Sequence, residues 1–95
     1  MEYEIVEGAF GKARGLMFSK KKNLIFVFHK ERRVGLHMFF VFFPIDVLFL
    51  DEDKKIIEIK KNFKPFRFYK SKKKAKYVVE ISEKNNFNVG ESFSF

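Results

Sequence analysis

The sequence predicts a mainly β fold, a small single-domain β-barrel or sandwich with one or two short helices. Its apolar segments are short and rich in Phe, Val and Ile, which suit a pleated sheet better than a helix. Polar turn residues separate these segments at short intervals, as in all-β domains. The 95 residues include fifteen Phe, which can fill one core, so a single domain over residues 1–95 is expected.

The first clear strand is NLIFVFHK, Asn23 to Lys30, and KERR follows it as a turn. The next apolar stretch, Val34 to Leu50, is too short for a membrane helix, which needs about 20 apolar residues. It also contains His37 and Pro44, and a proline breaks or kinks a helix. Two strands meeting at Pro44 are therefore expected.

The second of these strands, Asp46 to Asp51, carries apolar side chains on both faces, which predicts a central position in the sheet. The turn residues DEDK follow it. KIIEIKK then predicts a hairpin partner in which Ile57 and Ile59 share one face. The final ESFSF predicts a last strand with Phe93 and Phe95 facing inward.

Helix is expected in two short segments only. The first lies around Gly11 to Met17, where glycines weaken a helix by about 1 kcal/mol each relative to alanine. The second is one turn over Ser82 to Asn88, in which Ser82 would cap the N-terminus.

Composition excludes several kinds of site. The absence of cysteine excludes disulfides, thiolate zinc sites and a cysteine nucleophile. Two histidines without cysteine disfavour a transition-metal site, and no cofactor is expected. The acidic first residues MEYEIVE differ from a signal peptide, and no transmembrane segment is recognised, so a cytoplasmic protein is expected.

Positive charge is concentrated in one part of the chain. The formal net charge is +8, and between Lys54 and Lys76 eleven Lys and Arg face only Glu58, a local excess of +10. Such a block attracts nucleic acid, an anionic membrane surface or an acidic protein partner. The alternative is a solvated, lysine-rich surface of the kind enriched in proteins from hot environments.

Aromatic residues alternate with cations in KKNFKPFRFYKSKKKAKY, Lys60 to Tyr77. Rings that stack on bases and cations that hold phosphates would bind single-stranded nucleic acid. Alternatively, Phe66 and Phe68 alternate with Arg67 because both rings face the core. The surface predicted for nucleic acid comprises Lys64, Arg67, Tyr69, Lys72, Lys73 and Lys74.

A second predicted site surrounds Asp46, because a carboxylate between apolar neighbours needs a cation or several N–H donors. Arg14 is a plausible partner in a structural ion pair. The favoured function is a binding or interaction module with an apolar pocket. An enzyme using Asp46 and His37 as acid and base is a third alternative. The predicted pocket comprises Arg14, Met17, His37, Met38 and Asp46.

Four segments in order resemble the family catalogued as domain of unknown function 192. They are ARGLMF at Ala13–Phe18, PIDVLFLD at Pro44–Asp51, AKYVVEI at Ala75–Ile81 and VGESFSF at Val89–Phe95. The resemblance implies a small, β-rich, single-domain protein and supplies no reaction. Many bacterial members carry a Trp, Met, Lys, Asn, Thr run ahead of the proline, where this chain has HMFFV at 37–41. A pocket at that place would be more apolar here.

Overall fold

The computed structural model describes residues 2–7, 12–13, 23–37 and 43–95, which form eight β-strands and no helix. The strands are β1 (Glu4–Glu7), β2 (Lys12–Ala13), β3 (Leu24–Arg32), β4 (Gly35–His37), β5 (Ile45–Leu50), β6 (Ile56–Phe63), β7 (Phe68–Lys70) and β8 (Ala75–Ile81). Within these residues, no helix is long and apolar enough to cross a membrane.

Two sheets make up the fold. The larger has the order β1-β3-β8-β5-β6, in which β1 runs parallel to β3 and the other neighbours are antiparallel. The smaller has the order β2-β4-β7, with β2 parallel to β4 and β4 antiparallel to β7. The described strands do not close into a barrel, and the mainly β, sandwich-like prediction is confirmed.

Strand β5 lies between β8 and β6 and is buried on both faces, as its continuous apolar sequence predicts. Val47 and Phe49 belong to a first core, which also includes Leu36 of the smaller sheet. Leu48 and Leu50 belong to a second core on the opposite face. Both faces of the larger sheet therefore bury apolar side chains. The second core is covered partly by chain ends that supply Tyr3, Phe87 and Phe93.

A register shift in β6 changes which of its side chains face each core. Leu50 pairs with Ile56, but Phe49 pairs with Glu58, so Ile57 is the extra residue of a β-bulge. Ile57 packs against the first core and Ile59 against the second. The expectation that these two isoleucines share a face is wrong, because simple alternation fails at a bulge. The bulge places Glu58 on the same face as Phe49.

The helical turn expected over residues 82–88 is wrong, because this segment is irregular. Asn23 Oδ1 accepts a hydrogen bond from the Ser82 backbone N–H at 2.9 Å. The Asn88 side chain bonds to Asn86 O and to Glu91 Oε1. These side chains satisfy local polar groups in a non-helical arrangement. Of the other expected helix, only Lys12–Ala13 is described, as strand β2, and the rest lies outside the described residues.

The last residues dock on the start of β6 through a single β-bridge between Lys55 and Ser92. They do not form the strand that ESFSF predicts. A turn at Gly90, whose φ is +99°, directs the segment there. Phe93 is buried as expected, whereas Phe95 is 38% exposed and contacts the ring of Tyr77 edge-on.

Candidate functional site

A groove lies where the end of β6, the following turn and β7 meet. Its volume is about 370 Å³, and three of its side chains are cationic. The lining residues are Lys60, Asn62, Phe63, Lys64, Arg67, Phe68 and Tyr69. The groove therefore combines positive charge with aromatic surface, the two features that bind a ligand with both anionic groups and planar rings.

The turn between β6 and β7 holds one ring out toward solvent. Pro65 precedes Phe66, whose φ of 62° is a conformation that bulky side chains rarely adopt. Glycine or asparagine usually occupies the corresponding position of a turn that begins with proline. Phe66 is 56% exposed and Phe68 is 57% exposed. The alternative that these two rings face the core is therefore wrong.

Tyr69 forms the floor of the groove beside the first core. Its ring centroid lies 6.0 Å from that of Phe49 and 6.2 Å from that of Phe63. The Lys60 ammonium lies 5.3 Å from the Tyr69 ring centroid, in reach of a cation–π contact. Partial burial and a hydrogen bond to Glu58 raise the pKa of Tyr69 to about 12. The phenol therefore stays a neutral donor at physiological pH.

Glu58 links Tyr69 to the following loop. Its Oε2 accepts a short hydrogen bond from the Tyr69 hydroxyl. The carboxylate also accepts the backbone N–H groups of Lys72 and Lys73, both at 2.9 Å. Partial burial raises the pKa of Glu58, but these hydrogen bonds and the Lys72 charge outweigh burial and lower it. Glu58 is therefore ionised at neutral pH.

The lysine loop, Lys72 to Lys74, is also fixed from within. Ser71 is fully buried, and its hydroxyl oxygen accepts the Val34 N–H at 2.8 Å. The same hydroxyl donates to the Lys73 carbonyl oxygen at 2.8 Å. Arg33 Nε donates to the Ser71 carbonyl oxygen at 3.0 Å. The three exposed lysine side chains thus rise from an anchored backbone.

The predicted nucleic-acid surface is divided between these two features. Lys64, Arg67 and Tyr69 line the groove together. Lys72, Lys73 and Lys74 form the lysine loop, which Glu58 joins to Tyr69. Four further groove residues belong to the predicted segment Lys60–Tyr77 but not to the six residues selected from it. They are Lys60, Asn62, Phe63 and Phe68.

Most of the second predicted site lies outside the described residues. Arg14, Met17 and Met38 lie outside the described residues, so the Arg14–Asp46 pair stays a prediction. His37 ends β4, and its side chain is outside the described part of the chain. In the described ranges no three His, Asp or Glu side chains are grouped so as to hold a metal ion.

Asp46 has the N–H donors that its position requires. Its Oδ1 accepts the Asn62 backbone N–H at 2.9 Å, and its Oδ2 accepts the Asn85 side-chain amide at 2.8 Å. The residue is half-buried beside a shallow cleft of about 180 Å³ whose lining also includes Ser82 and Lys84. These bonds tie β5 to β6 and to the segment after β8, a structural arrangement.

Replacing Asp46 with alanine is expected to lower the free energy of unfolding by about 1–3 kcal/mol, since two hydrogen bonds to a carboxylate are lost. Asp46→Asn keeps one acceptor oxygen and should lose about half as much. Urea denaturation measures both variants. Unchanged stability in Asp46→Ala would show that these bonds contribute nothing in solution.

Glu80 is a buried carboxyl group that the sequence-based site did not include. It is 4% exposed and pairs across β8 with Leu24 on one side and Val47 on the other. None of the described residues forms a hydrogen bond or an ion pair with its side chain. Burial raises the pKa of Glu80 to about 8. The sequence signal for this buried group is a glutamate within AKYVVEI, a strand that carries apolar side chains on both faces.

The sequence matches a family model over residues 1–91, described as DUF192, Uncharacterized ACR, COG1430. The UPF0127 protein of Thermococcus sibiricus is 38% identical over 81 residues, which are 81% of this chain and 52% of that protein. The UPF0127 protein of Pyrococcus horikoshii is 35% identical over 82 residues, covering 83% of this chain and 70% of that one. The chain thus spans about half of the first relative.

Two crystal structures share the fold. A candidate transcription regulator from Sinorhizobium meliloti 1021 superimposes with a TM-score of 0.70 at 24% identity, over 84% of this chain and 67% of that chain. A protein of unknown function from Novosphingobium aromaticivorans gives a TM-score of 0.68 at 20% identity, over 84% and 61% of the two chains. At these identities the likeness concerns the fold alone.

Proposed function

The chain belongs to the DUF192 family of uncharacterised proteins, and we propose that its groove between β6 and β7 binds single-stranded nucleic acid. The observation that carries this proposal is the exposure of Phe66 and Phe68 beside a groove lined by Lys60, Lys64 and Arg67. Aromatic rings next to cations can stack on bases while the cations neutralise phosphates.

Single strands fit this surface better than duplexes do. A base offers its flat face to an aromatic side chain only when it is not stacked within a double helix. The unusual backbone at Phe66 holds its ring outward, at a cost that a purely structural turn avoids by using glycine. A base of the ligand can stack on the exposed part of this ring.

Charge provides the other half of the proposed affinity. Lys60, Lys64 and Arg67 line the groove, in a part of the chain, Lys54 to Lys76, whose net charge is +10. When such cationic groups bind phosphates, counterions are released. The logarithm of the affinity for a single strand therefore falls with the logarithm of the salt concentration, with a slope of about 0.7 per phosphate contact. Such a ligand is consistent with the cytoplasmic location that the sequence predicts.

Reversing two groove charges, Lys64→Glu with Arg67→Glu, is expected to weaken binding of a labelled single strand at least about 20-fold at 0.1 M salt, because two phosphate contacts are lost. Fluorescence anisotropy at several salt concentrations measures the affinity and its slope. The control, Lys30→Glu, changes an exposed lysine on β3, three strands from β6 in the sheet. It should retain most of the affinity.

Removing a stacking ring is expected to weaken binding about 5- to 150-fold, since each base stacked on a ring contributes about 1–3 kcal/mol. Phe66→Gly is the sharper variant, because glycine adopts the positive φ at residue 66 without strain and should keep the fold. Phe68→Ala tests the second exposed ring. The same anisotropy titration and a thermal unfolding scan measure both variants.

The proposal fails if the wild-type protein binds neither RNA nor DNA single strands even at low salt. It also fails if the control variant weakens binding as much as the groove variants do. The basic block would then be a solvated surface, or a surface for an acidic protein partner or an anionic membrane. The apolar-pocket module around Arg14, Met17, His37, Met38 and Asp46, and the enzyme using Asp46 and His37, stay predictions.

A further inference from the structure

We propose that the ligand path continues from the groove across Tyr69 to the lysine loop, and that Glu58 is the positioning residue that joins the two. This inference rests on the proposed function. It sets a minimum length for the ligand, because a nucleic-acid single strand that contacts both the groove and the lysine loop must carry several consecutive phosphates. It also assigns a binding role to an acidic residue in the most basic part of the chain.

The geometry of Glu58 supports this role. The bulge at Ile57 places Glu58 on the face that carries Phe49, beneath Tyr69. From there a single carboxylate bonds to the hydroxyl of a groove residue and to the backbone of two loop residues. Its charge state is stable, because its hydrogen bonds keep its pKa low. Groove and loop are therefore held at one fixed spacing.

The same bonds determine which loop groups can meet a phosphate. Two successive backbone N–H groups form a concave anion site, and here Glu58 already occupies the site formed by Lys72 and Lys73. An incoming phosphate therefore meets the ammonium groups of the loop side chains. Because Ser71 anchors the start of the loop, the loop backbone loses little additional freedom when the lysine side chains bind phosphate.

Two explanations of Glu58 predict opposite results. If Glu58 were only a negative charge near a polyanion site, removing that charge would strengthen binding. If it positions the loop and Tyr69, removing the charge would weaken binding despite the gain of one positive unit. Glu58→Gln separates these cases, because a neutral amide accepts hydrogen bonds more weakly than a carboxylate and keeps the side-chain size.

We expect Glu58→Gln to lower affinity for a labelled single-stranded RNA at least about fivefold at 0.1 M salt and to reduce the salt slope by about 0.7, the equivalent of one phosphate contact. The control for charge alone is Glu7→Gln, an exposed residue of β1 at the opposite edge of the larger sheet. This control should leave affinity unchanged or slightly increase it.

A second background shows whether Glu58 acts through the loop. In a protein with Lys72, Lys73 and Lys74 all changed to Gln, Glu58→Gln should weaken binding much less than in the wild type. An equal loss in both backgrounds would overturn the proposed link to the loop and indicate a general effect on folding. Hydrogen exchange provides an independent readout, with faster exchange of the Lys72 and Lys73 amides expected in Glu58→Gln.

The two proposals fail in different ways. If the wild type does not bind single strands at low salt, the proposed function is wrong. If the wild type binds and the groove variants weaken binding, but Glu58→Gln binds as tightly as wild type or more tightly, the groove proposal stands. In that case Glu58 has no positioning role.

Discussion

Replacing Glu80 with glutamine is expected to stabilise the protein at alkaline pH by about 4 kcal/mol more than it does at pH 5. Burial raises the pKa of Glu80 in the folded protein to about 8, from an ordinary value of 4.5. Between these two values the folded chain keeps a proton that the unfolded chain has lost. The free energy of unfolding therefore falls as pH rises, by about 1.4 kcal/mol per unit.

The sign of this effect distinguishes Glu80 from the usual carboxylate. An ion-paired acid stabilises a protein above its ordinary pKa, whereas Glu80 stabilises this one below pH 4.5 and that contribution is lost by about pH 8. The amide of Glu80→Gln has no charge to lose. Urea denaturation at pH 5, 7 and 9 measures wild type, Glu80→Gln and the exposed control Glu7→Gln. A constant difference between wild type and Glu80→Gln would contradict the prediction.

Truncating the central strand is expected to cause the largest loss of stability. Phe49→Ala should cost about 3–5 kcal/mol and Leu48→Ala about 2–5 kcal/mol, because each leaves a cavity in one of the two cores. Both side chains are fully buried. A domain of this size has a total stability on the order of 5–15 kcal/mol, so either variant approaches unfolding.

The two truncations should differ in their effect on binding. Phe49 packs against Tyr69, so its loss removes support for the floor of the groove, whereas Leu48 faces the second core. In a stabilising buffer, Phe49→Ala should weaken single-strand binding more than Leu48→Ala does. Chemical denaturation and anisotropy measure the two effects. Val89→Ala, at a residue 59% exposed, should change neither by more than about 0.5 kcal/mol.

The strands and hairpin could be predicted because their information is local. Continuous apolar sequence on β5 indicated a central strand, and DEDK indicated the turn to β6. The bulge at Ile57 could not be predicted, since it depends on how β6 pairs with Leu50 and Phe49. The helical turn at Ser82 failed for a similar reason, because its N–H bonds to Asn23, distant in sequence.

The candidate site shows the same division. Lys64, Arg67 and Tyr69 lie close together in sequence, and their shared segment was enough to group them. Lys60 and Phe63 lie in the same predicted segment, but which of its residues line the groove depends on the turn between β6 and β7. Glu58 was interpreted as the lone acid in a basic block, and its link to the loop depends on contacts 14 and 15 residues away.

The order of strands in the larger sheet also constrains synthesis on the ribosome. Strand β8, Ala75–Ile81, lies between β3 and β5. Neither β3 nor β5 can therefore pair fully with β8 until residue 81 has emerged from the ribosome. At 5–20 residues per second, roughly 2–10 s pass between emergence of Arg32 and of Ile81. During that time the apolar side chains of β3 are exposed, because β8 has not yet paired with it. The nascent chain is therefore expected to depend on chaperones that bind apolar segments more than the finished protein does.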